Sequence, residues 1–437
     1  MSQAQAAEAA ARTREVLPDP AGLAALVEFY QDLHRHPELS GQETRTSRIV
    51  AERFTSARAE VTAGVGGTGV VALLRNGPGP LVMIRGDMDA LPVAEKTGLD
   101  YASRAHGVMP DGQRTPVMHA CGHDVHVAAL VGTVDALSRS LDRWSGTLMA
   151  VAQPAEETAE GADAMLRDAL FERFGRPDVA LAQHVDGFGV GQVAHAAGPI
   201  TSAALNVDVR IKGRGGHGSL PEETIDPVIV AACTVMRLQT IVSRETDPAE
   251  PVVLTIGKVQ AGLKANVIPD EASLALNLRF RSDAARQRLL GAITRIVRAE
   301  CAAAGCPDEP EIVSSGYFPV TCNDEQTERC VRAVHEELFG SSNVHDLPLV
   351  MGSEDFSVFG LPGDGRYHGD PVPYCYWTFG GHSRQLWDSA PGAAYRQKMK
   401  ALPAPHSSGF APEPAASLWT GVSALTSAAL AFLRPSD

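Results

Sequence analysis

The sequence lacks the features that mark a membrane-spanning or nucleic-acid-binding chain. No stretch approaches about 18 uninterrupted apolar residues, so no membrane span is predicted. The polar, Ala-rich start, MSQAQAAEAAARTREVLPDP, has no apolar core of the kind that signal peptides carry. No Lys/Arg-rich run occurs, and 52 acidic residues against 38 basic ones give a net charge of -14. We therefore expect neither nucleic acid nor an anionic membrane as a partner.

Cysteine is scarce and scattered, with seven residues in a chain of 437. An odd, scattered number argues against a disulfide framework and for reduced thiols, so we expect a cytoplasmic protein. Aromatic residues make up only 5% of the chain. The rest of the composition, 44% apolar and 21% charged, is ordinary for a globular protein with room for two or three domains.

Strands and helices alternate through the first 199 residues. The segments PLVMIRGDMDALP, GTLMAVAQPAEE and PDVALAQHV are typical of buried strands that end in polar residues. A helix rich in small apolar residues is predicted from Cys121 to about Leu141. This alternation predicts an α/β fold, and open α/β sheets build their sites at the carboxyl ends of their strands.

The pattern changes from about residue 200. A strand is followed by a helix over 226–243, two strands, a helix over 283–303 and a strand near EIVSSG. This β-α-β-β-α-β order is the ferredoxin-like split pattern. After Tyr317 the first pattern resumes. The sequence therefore predicts a domain of residues 200–316 inserted into a larger domain of residues 15–199 and 317–437.

Metal-capable side chains crowd into MHACGHDVH, residues 118–126. Thiolate, imidazole and carboxylate together are the usual ligands of zinc and its neighbours. Taken alone, the segment has an alternative interpretation as a His-rich turn with one buried thiol. Further candidates at the predicted strand ends and in a late loop make chance clustering at one sheet edge improbable. These candidates are Asp87, Asp89, Cys121, His123, Glu156, Glu157, His184 and His406.

Nine short motifs occur in order along the chain: HRHPELSGQE, RGDMDALPV, MHACGHDVH, QPAEE, AQHV, GRGGHGSLP, NVIPDEA, GSEDFS and HSSGF. Over roughly residues 20–433 this set resembles the amidohydrolase branch of the aminoacylase/glutamate-carboxypeptidase metallopeptidase family, which includes hippurate and auxin-conjugate hydrolases. The resemblance implies a zinc-peptidase-like three-layer α/β/α catalytic domain with an inserted ferredoxin-like α+β lid. Because that lid usually forms the dimer interface, a homodimer is expected.

The resemblance also implies a site for two divalent metal ions. Zinc is the first expectation, with manganese, cobalt and nickel as alternatives. Asp87 resembles the supporting aspartate that orients a ligand, and Arg85 stands where other branches carry a histidine ligand. His119 and His126 are interpreted as flanking residues. The implied ligands are Cys121, His123, Glu157, His184 and His406.

Four residues match catalytic or substrate-binding positions of the family. Glu156 matches the general base, which takes a proton from the attacking water and delivers it to the departing amine. His217 matches a histidine that reaches across the dimer interface to polarise the scissile carbonyl. Asn266 and Arg279 match residues that hold the carboxylate of the released amino acid.

The sequence departs from the family pattern at two points. Ser408 and Gly409 follow the late His-Ser pair where relatives carry proline, which predicts a looser loop around His406. The strand LALNLRF lacks the Gly-Thr that commonly precedes the family's arginine, here Arg279. The stretch HSRQLWDSAPGAAYRQKMKALPAP is predicted to be a long loop that lines the acyl pocket.

The predicted reaction is metal-dependent hydrolysis of N-acyl amino acids or short peptides to a carboxylic acid and an amino acid. A dipeptidase or carboxypeptidase with the same machinery is an alternative, but the sequence identifies no group to meet a free amino terminus. An inactive peptide-binding relative would have no need of Glu156. A thiol nucleophile at Cys121 with His123 as its base would leave Glu156, Glu157, His184 and His406 unexplained.

Overall fold

The computed structural model describes residues 1–347, 350–361 and 367–435. The chain divides into two compact units. One unit comprises Met1–Ile200, Cys322–Leu349 and Asp355–Asp437, and the other comprises Thr201–Thr321 and Val350–Glu354. No sequence pattern indicated that the second unit would include residues 350–354.

Twelve helices occur in the described residues: α1 Gln3–Val16, α2 Pro20–Arg35, α3 Thr44–Ser56, α4 His123–Ser138, α5 Gly161–Arg167, α6 Leu170–Phe174, α7 Pro227–Arg244, α8 Asp283–Ala304, α9 Glu325–Phe339, α10 Arg384–Ser389, α11 Tyr395–Ala401 and α12 Pro414–Phe432.

The strands of the first unit, in chain order up to the second unit, are β1 Glu60–Val65, β2 Gly69–Asn76, β3 Leu81–Asp87, β4 His106–Val108, β5 Arg114–Pro116, β6 Gly146–Gln153, β7 Val179–Gly189, β8 Val193–His195 and β9 Gly198–Pro199. The later strands are β10 Ala203–Lys212, β11 Gly216–His217, β12 Val253–Ala261, β13 Val267–Ile268, β14 Glu271–Phe280, β15 Glu311–Phe318, β16 Cys322–Asn323, β17 Val344–Asp346 and β18 Tyr374–His382.

The first unit is built on one eight-stranded sheet of order β1-β2-β6-β3-β7-β18-β8-β17. Its four middle strands, β6, β3, β7 and β18, run parallel to one another. These strands are almost wholly buried, as expected for parallel strands covered on both faces. Their carboxyl ends therefore meet at one edge of the sheet.

A separate apolar core covers each face of this sheet, which gives three layers. One core joins the sheet to α2, α3, α4 and α12, and the other joins it to α5, α6 and the 384–402 region. Helix α4 is buried on nearly every side, as its continuous small apolar residues predict. It can lie directly on β3 because Gly86 has no Cβ, which would meet the His126 carbonyl oxygen at 3.0 Å.

The second unit holds a four-stranded antiparallel sheet of order β12-β14-β10-β15. Helices α7 and α8 bury an apolar core against it. Alternation along β14 is strict, with every second residue buried, which is typical of a sheet covered on one face. The element order and strand order are those of the ferredoxin-like split pattern.

Two features were not predicted from the sequence. Helix α1 was missed because its buried face consists of small residues, chiefly Ala6, Ala9 and Ala10, whose hydrophobic signal is weak. The predicted loop before His406 contains the short helices α10 and α11. Among the described helices, α12 alone is long and apolar enough to cross a membrane, but 72% of its apolar window is buried inside the protein.

Candidate metal centre

The structure brings most of the predicted site residues to the carboxyl edge of the large sheet. Asp87 ends β3, and His184 lies midway along β7, just beyond the residues of β7 that pair with β3. Cys121 and His123 stand at the start of α4. The Glu156–Glu157 pair follows β6, which ends at Gln153. Parallel strands pointing the same way explain why residues far apart in sequence meet here.

Cys121 lies at the centre of the cluster. Its Sγ is 3.3 Å from His184 Nε2 and 3.2 Å from His406 Nε2. Glu157 Oε1 is 3.3 Å from His406 Nε2 and 3.9 Å from His123 Nε2. The thiol, three imidazoles and one carboxylate therefore direct their donor atoms toward a common space.

Two of these donor atoms are buried and have no hydrogen-bond partner among the described residues: His123 Nε2 and Glu157 Oε1. A buried polar atom without a partner is destabilising by about 1–3 kcal/mol. His184 keeps its Nε2 lone pair turned to Cys121, because its Nδ1–H donates to the Val185 carbonyl at 2.6 Å. A bound cation would satisfy these atoms.

The electrostatics of the cluster also favour a cation. Burial lowers the pKa of His123, but Asp87, Asp89 and Glu157 outweigh burial and raise that pKa to about 10. The carboxylates around His123 therefore attract positive charge. Without a bound cation they keep a proton on the His123 imidazole. Burial and the nearby carboxylates hold the pKa of the Cys121 thiol well above its ordinary value, and a divalent cation is what makes such a thiol ionise.

Gly122 sets the geometry between Cys121 and His123. Its φ is +79°, and a Cβ would lie 2.3 Å from Val185 Cγ1. A larger residue would thus be strained by its backbone conformation and would also collide with β7. The glycine of the CGH triplet therefore allows the Cys121 and His123 side chains to face the same space.

Three hydrogen bonds hold the loop around His406, in which the family's proline is missing. His406 has a φ of +70°, and its backbone N–H donates to the Ala120 carbonyl at 2.7 Å. Lys96 N–H donates to the Ser408 carbonyl at 2.7 Å, and His382 Nε2 lies 2.8 Å from the Pro403 carbonyl. These hydrogen bonds connect the loop to three other segments of the first unit.

Asp89 fixes the His123 ring, a role that the sequence analysis did not give it. His123 Nδ1–H donates to the Asp89 carbonyl at 2.8 Å and lies 3.3 Å from its Oδ1. Asp89 Oδ2 accepts from the Glu157 N–H at 3.0 Å. Asp87 Oδ2, the predicted supporting carboxylate, lies 3.7 Å from His123 Nε2. Asp89 therefore orients two candidate ligands.

The flanking histidines differ in their surroundings. His126 Nδ1–H donates to Asp87 Oδ1 at 2.6 Å, and its Nε2 accepts from the Val185 N–H at 2.8 Å. Both of its nitrogens are thus engaged within the protein. His119 is buried, and burial lowers its pKa to about 4. Its nitrogens have no partner among the described residues.

The loop that carries Glu156 and Glu157 is held by Glu43, a second residue that the sequence analysis missed. Glu43 Oε1 accepts from the Ala155 N–H at 2.9 Å, and Oε2 accepts from the Thr68 hydroxyl at 2.6 Å. Ala155 has a φ of +49°. Glu43 is the last residue of the HRHPELSGQE motif. This motif could have indicated Glu43 as a site residue, but no role was assigned to it from the sequence.

Asp87 is anchored by a buried network behind the ligands. Arg85 Nη1 donates to Asp87 Oδ2 at 2.6 Å, Nη2 donates to Asp355 Oδ1 at 3.2 Å, and Nε donates to Gln153 Oε1 at 2.8 Å. Although burial raises the pKa of Asp87, Arg85 and the two nearby histidines hold it well below its ordinary value. Asp355 belongs to the GSEDFS motif.

His217, Asn266 and Arg279 belong to the second unit. His217 pairs with Val267 in the short β11–β13 ribbon, and the Asn266 carbonyl accepts from the Gly218 N–H at 3.0 Å. The ribbon thus brings the first two residues together. Arg279 on β14 donates through Nε to Asn277 Oδ1 at 2.9 Å and through Nη1 to Ser353 Oγ at 2.6 Å. Two of the guanidinium nitrogens of Arg279 therefore already donate hydrogen bonds within the second unit.

The donor set fits divalent cations. Several trios of metal-capable side chains occur in the described residues, with all donor atoms of a trio within 4.8 Å of one another. Three of them share members: Cys121–His123–His184, Cys121–Glu157–His406 and His123–Glu156–Glu157. A thiolate, imidazoles and carboxylates together match the ligand preferences of zinc and similar metals. Glu156 is 6% exposed and borders the same space.

Comparison with known proteins identifies the family of the chain. The model of peptidase family M20/M25/M40 matches residues 83–385. Thermostable carboxypeptidase 1 of Saccharolobus solfataricus is 34% identical over 347 residues, which cover 78% of this chain and 84% of that protein. Hippurate hydrolase of Campylobacter jejuni is 35% identical over 331 residues, covering 75% of this chain and 82% of that protein.

A solved structure is similar over nearly the whole chain. It is a dinuclear metal-binding peptidase of the M20 family from Bacillus subtilis, with a TM-score of 0.72 and 25% identity, covering 94% of this chain and 98% of that one. The chain belongs to peptidase family M20/M25/M40. The predicted family, the α/β fold class and the prediction of a hydrolase are confirmed.

Proposed function

We propose that this protein is a two-metal amidohydrolase that cleaves N-acyl amino acids into a carboxylic acid and an amino acid. One observation carries the proposal. Donor atoms from four separate segments converge around Cys121, two of them buried without a partner, directly beside the buried acid Glu156. Hippurate, which the Campylobacter jejuni relative is named for hydrolysing, is itself an N-acyl amino acid.

Cys121, His123, Glu157, His184 and His406 would hold two divalent cations, with zinc the best match to a ligand set that includes a thiolate. Bound cations supply Lewis acidity, which acidifies water and polarises a carbonyl oxygen. Asp89 keeps His123 and Glu157 oriented through the hydrogen bonds described above. The name of the Bacillus subtilis neighbour, a dinuclear metal-binding peptidase, supports the number of ions.

Glu156 is the proposed general base. It accepts a proton from the water that attacks the amide carbonyl and then delivers that proton to the nitrogen of the departing amine. Without this delivery the leaving group would be an amide anion, which is too basic to depart. The burial of Glu156 keeps its carboxyl group out of bulk water during both transfers.

His217 is the proposed donor to the scissile carbonyl. Its Nδ1 accepts from the Ser219 N–H at 3.1 Å and lies 2.7 Å from the Ser219 hydroxyl. In a neutral ring, an Nδ1 that accepts leaves the proton on Nε2. The exposed His217 side chain therefore presents an Nε2–H donor, which suits an oxyanion-stabilising role.

Arg279 and Asn266 are the proposed partners of the substrate carboxylate. Arg279 is half-buried, and burial lowers its pKa below the ordinary arginine value without neutralising it at pH 7. A guanidinium is suited to paired contacts with a carboxylate. The carboxypeptidase named among the relatives also implies a substrate with a free carboxylate, so a carboxypeptidase or dipeptidase is the second candidate function.

We further propose a homodimer formed through the second unit. Large apolar side chains are exposed there: Ile229 is 61% exposed and Met236 74% exposed on α7, and Val259 is 57% exposed on β12. Strand β12 is an edge of its sheet, which offers unpaired backbone groups for association. His217 would then serve the site of the partner subunit.

Two other interpretations are less well supported. A thiol nucleophile needs a depressed pKa, whereas the pKa of Cys121 is raised. An inactive binding protein has no use for a buried acid beside the ligand cluster.

All seven cysteines are free, and a ligand thiol must stay reduced, so we propose that the protein works in the cytoplasm.

The experiment uses Glu156→Gln, with Glu160→Gln as a matched control in the same loop. N-Acetyl and N-benzoyl amino acids are supplied to metal-loaded protein, and product release and bound metal are both measured. We expect Glu156→Gln to keep its metal while turnover falls by about 10²–10⁴-fold, and Glu160→Gln to match the wild type. Wild-type turnover by Glu156→Gln would refute the role of this acid, and a wild-type protein that releases no product would refute the function.

A further inference from the structure

Only two residues of strand β7 are partly exposed to solvent. All of its 11 residues are buried except His184 and Asp186, which are partly exposed. These two are separated by one residue, so their side chains leave the same face of the strand, with their Cα atoms about 7 Å apart. One of the two is a proposed metal ligand. The space above the sheet that reaches His184 therefore also reaches Asp186.

The Asp186 carboxylate has few partners within the protein. Its Oδ1 accepts from the neighbouring Gly187 N–H at 2.6 Å. No ion pair to it occurs within 4.0 Å in the part of the chain that the structure describes, and no cation contributes to its electrostatic surroundings. A partly buried carboxylate without a cation is destabilising. The Asp186 carboxylate is therefore available to bind a positively charged group.

The residues around Asp186 belong to the segment before His406, which is predicted from the sequence to line the acyl pocket. The adjacent Gly187 lies against Pro403 and Ala404, on the loop that leads to His406. Tyr395 packs on Phe188, which lies two residues beyond Asp186 on β7, with the ring centroids 5.3 Å apart. Burial and then the charge of Asp186 raise the pKa of the Tyr395 phenol. The Tyr395 hydroxyl is buried and has no hydrogen-bond partner in the described structure.

We propose that Asp186 binds an ammonium group on the acyl portion of the substrate, which makes aminoacyl amino acids the favoured substrates of this site. The inference rests on the proposed amide hydrolysis. A carboxylate here repels the carboxylate of the released amino acid, so the acyl portion is the part that it meets. An α-ammonium donates to an Asp186 oxygen and, through a second N–H, to the Tyr395 hydroxyl oxygen.

This assignment supplies the group that a dipeptidase needs and that the sequence motifs did not reveal. Asp186 lies just after the AQHV motif, where it is indistinguishable in sequence from a surface acid. The α-nitrogen of an aminoacyl group lies about 2.5 Å from its own carbonyl carbon, and a hydrogen bond of about 2.9 Å extends the reach to about 5 Å. A substrate carbonyl held between the ligands and Asp186 therefore brings its ammonium within reach of the Asp186 carboxylate. The site would accept neutral acyl groups as well, but with lower affinity.

The test compares glycyl-phenylalanine with N-propionyl-phenylalanine, which differ only in an ammonium in place of a methyl group. Binding is measured by calorimetry at pH 7 in a Glu156→Gln background, in which neither compound is consumed. We expect glycyl-phenylalanine to bind about 10-fold or more tightly. Adding Asp186→Asn should abolish that preference, and adding Asp388→Asn, which removes a 63% exposed acid on α10, should leave it unchanged.

Equal binding of the two compounds, or a preference that survives Asp186→Asn, would overturn the proposal. Should Asp186→Asn fail to fold, the preference for glycyl-phenylalanine must still disappear above about pH 8, where the ammonium of this ligand loses its proton. A preference that persists at high pH would contradict the proposal. Hydrolysis of both compounds by the metal-loaded wild-type protein is measured in a separate experiment. Binding through Asp186 without turnover would refute the proposed function, and turnover without any preference would refute only this inference.

Discussion

A buried charged triad behind α4 makes the stability of this protein depend on pH in a way that can be calculated. His34 Nδ1 lies 2.6 Å from Asp124 Oδ2, and Nε2 lies 3.1 Å from Glu95 Oε1. The three side chains are at most 1% exposed. Burial lowers the pKa of His34, but the hydrogen bonds and charges of the two acids outweigh it and raise that pKa to about 9.

The sign of the effect follows from the direction of this shift. The pKa of His34 is higher in the folded protein than its ordinary value of 6.5. Its contribution to stability is therefore complete below about pH 6.5 and is lost as the pH rises through about 9. The difference between these values corresponds to about 3 kcal/mol, because one pKa unit equals about 1.36 kcal/mol. The pKa values of Asp124 and Glu95 are lowered, so both are charged throughout this range.

The perturbation is His34→Gln, which keeps a polar side chain of similar length and removes the charge. Urea unfolding of metal-free protein at pH 6 and pH 9.5 should show a loss of stability about 3 kcal/mol larger at the lower pH. His36→Gln, which alters a side chain that is 50% exposed, is the control and should show almost no loss. An equal loss for His34→Gln at both pH values would refute the reasoning, because it would mean that the ring is neutral when folded.

Two further predictions concern the site itself. Asp89→Asn should weaken metal binding by about 10- to 100-fold, since the two carboxylate oxygens of Asp89 face His123 Nδ1 and the Glu157 N–H, and an amide side chain has only one oxygen to accept with; an unchanged metal affinity, measured with a competing chelator, would remove that role. His217→Ala and Glu156→Gln proteins should each be nearly inactive alone. After subunit exchange, the mixture should regain roughly a quarter of wild-type activity. Proven exchange without recovery would mean that His217 does not serve a partner subunit.

The parts of the fold that the sequence predicted are those with strong local patterns. Strands β3 and β6 are continuous apolar segments that end in polar residues, β7 begins with such a segment, and α4 is a long run of small apolar residues. Helix α1 buries mainly alanine, and α10 and α11 are only 6 and 7 residues long. Such elements acquire their stability from tertiary packing, which sequence periodicity does not report.

The site was predictable as a list of residues but not as a set of roles. Motif order indicated Cys121 and His123, whereas the choice between His123 and His126 depends on what each ring touches. His126 has both nitrogens engaged, and His123 keeps Nε2 available. Asp89 and Glu43 act through hydrogen bonds to distant backbone groups. Only the folded chain brings those groups together.

The most direct test of the account is the metal requirement of the wild-type protein beside Cys121→Ser. Protein stripped with a chelator is titrated with zinc, and bound zinc and hydrolysis of an N-acyl amino acid are measured at each step. We predict that turnover is absent without metal and rises until two ions are bound per chain. Cys121→Ser should lose metal and turnover together, because a neutral serine hydroxyl is a poor ligand. Full turnover by metal-free protein, or full zinc occupancy with normal turnover in Cys121→Ser, would contradict the account.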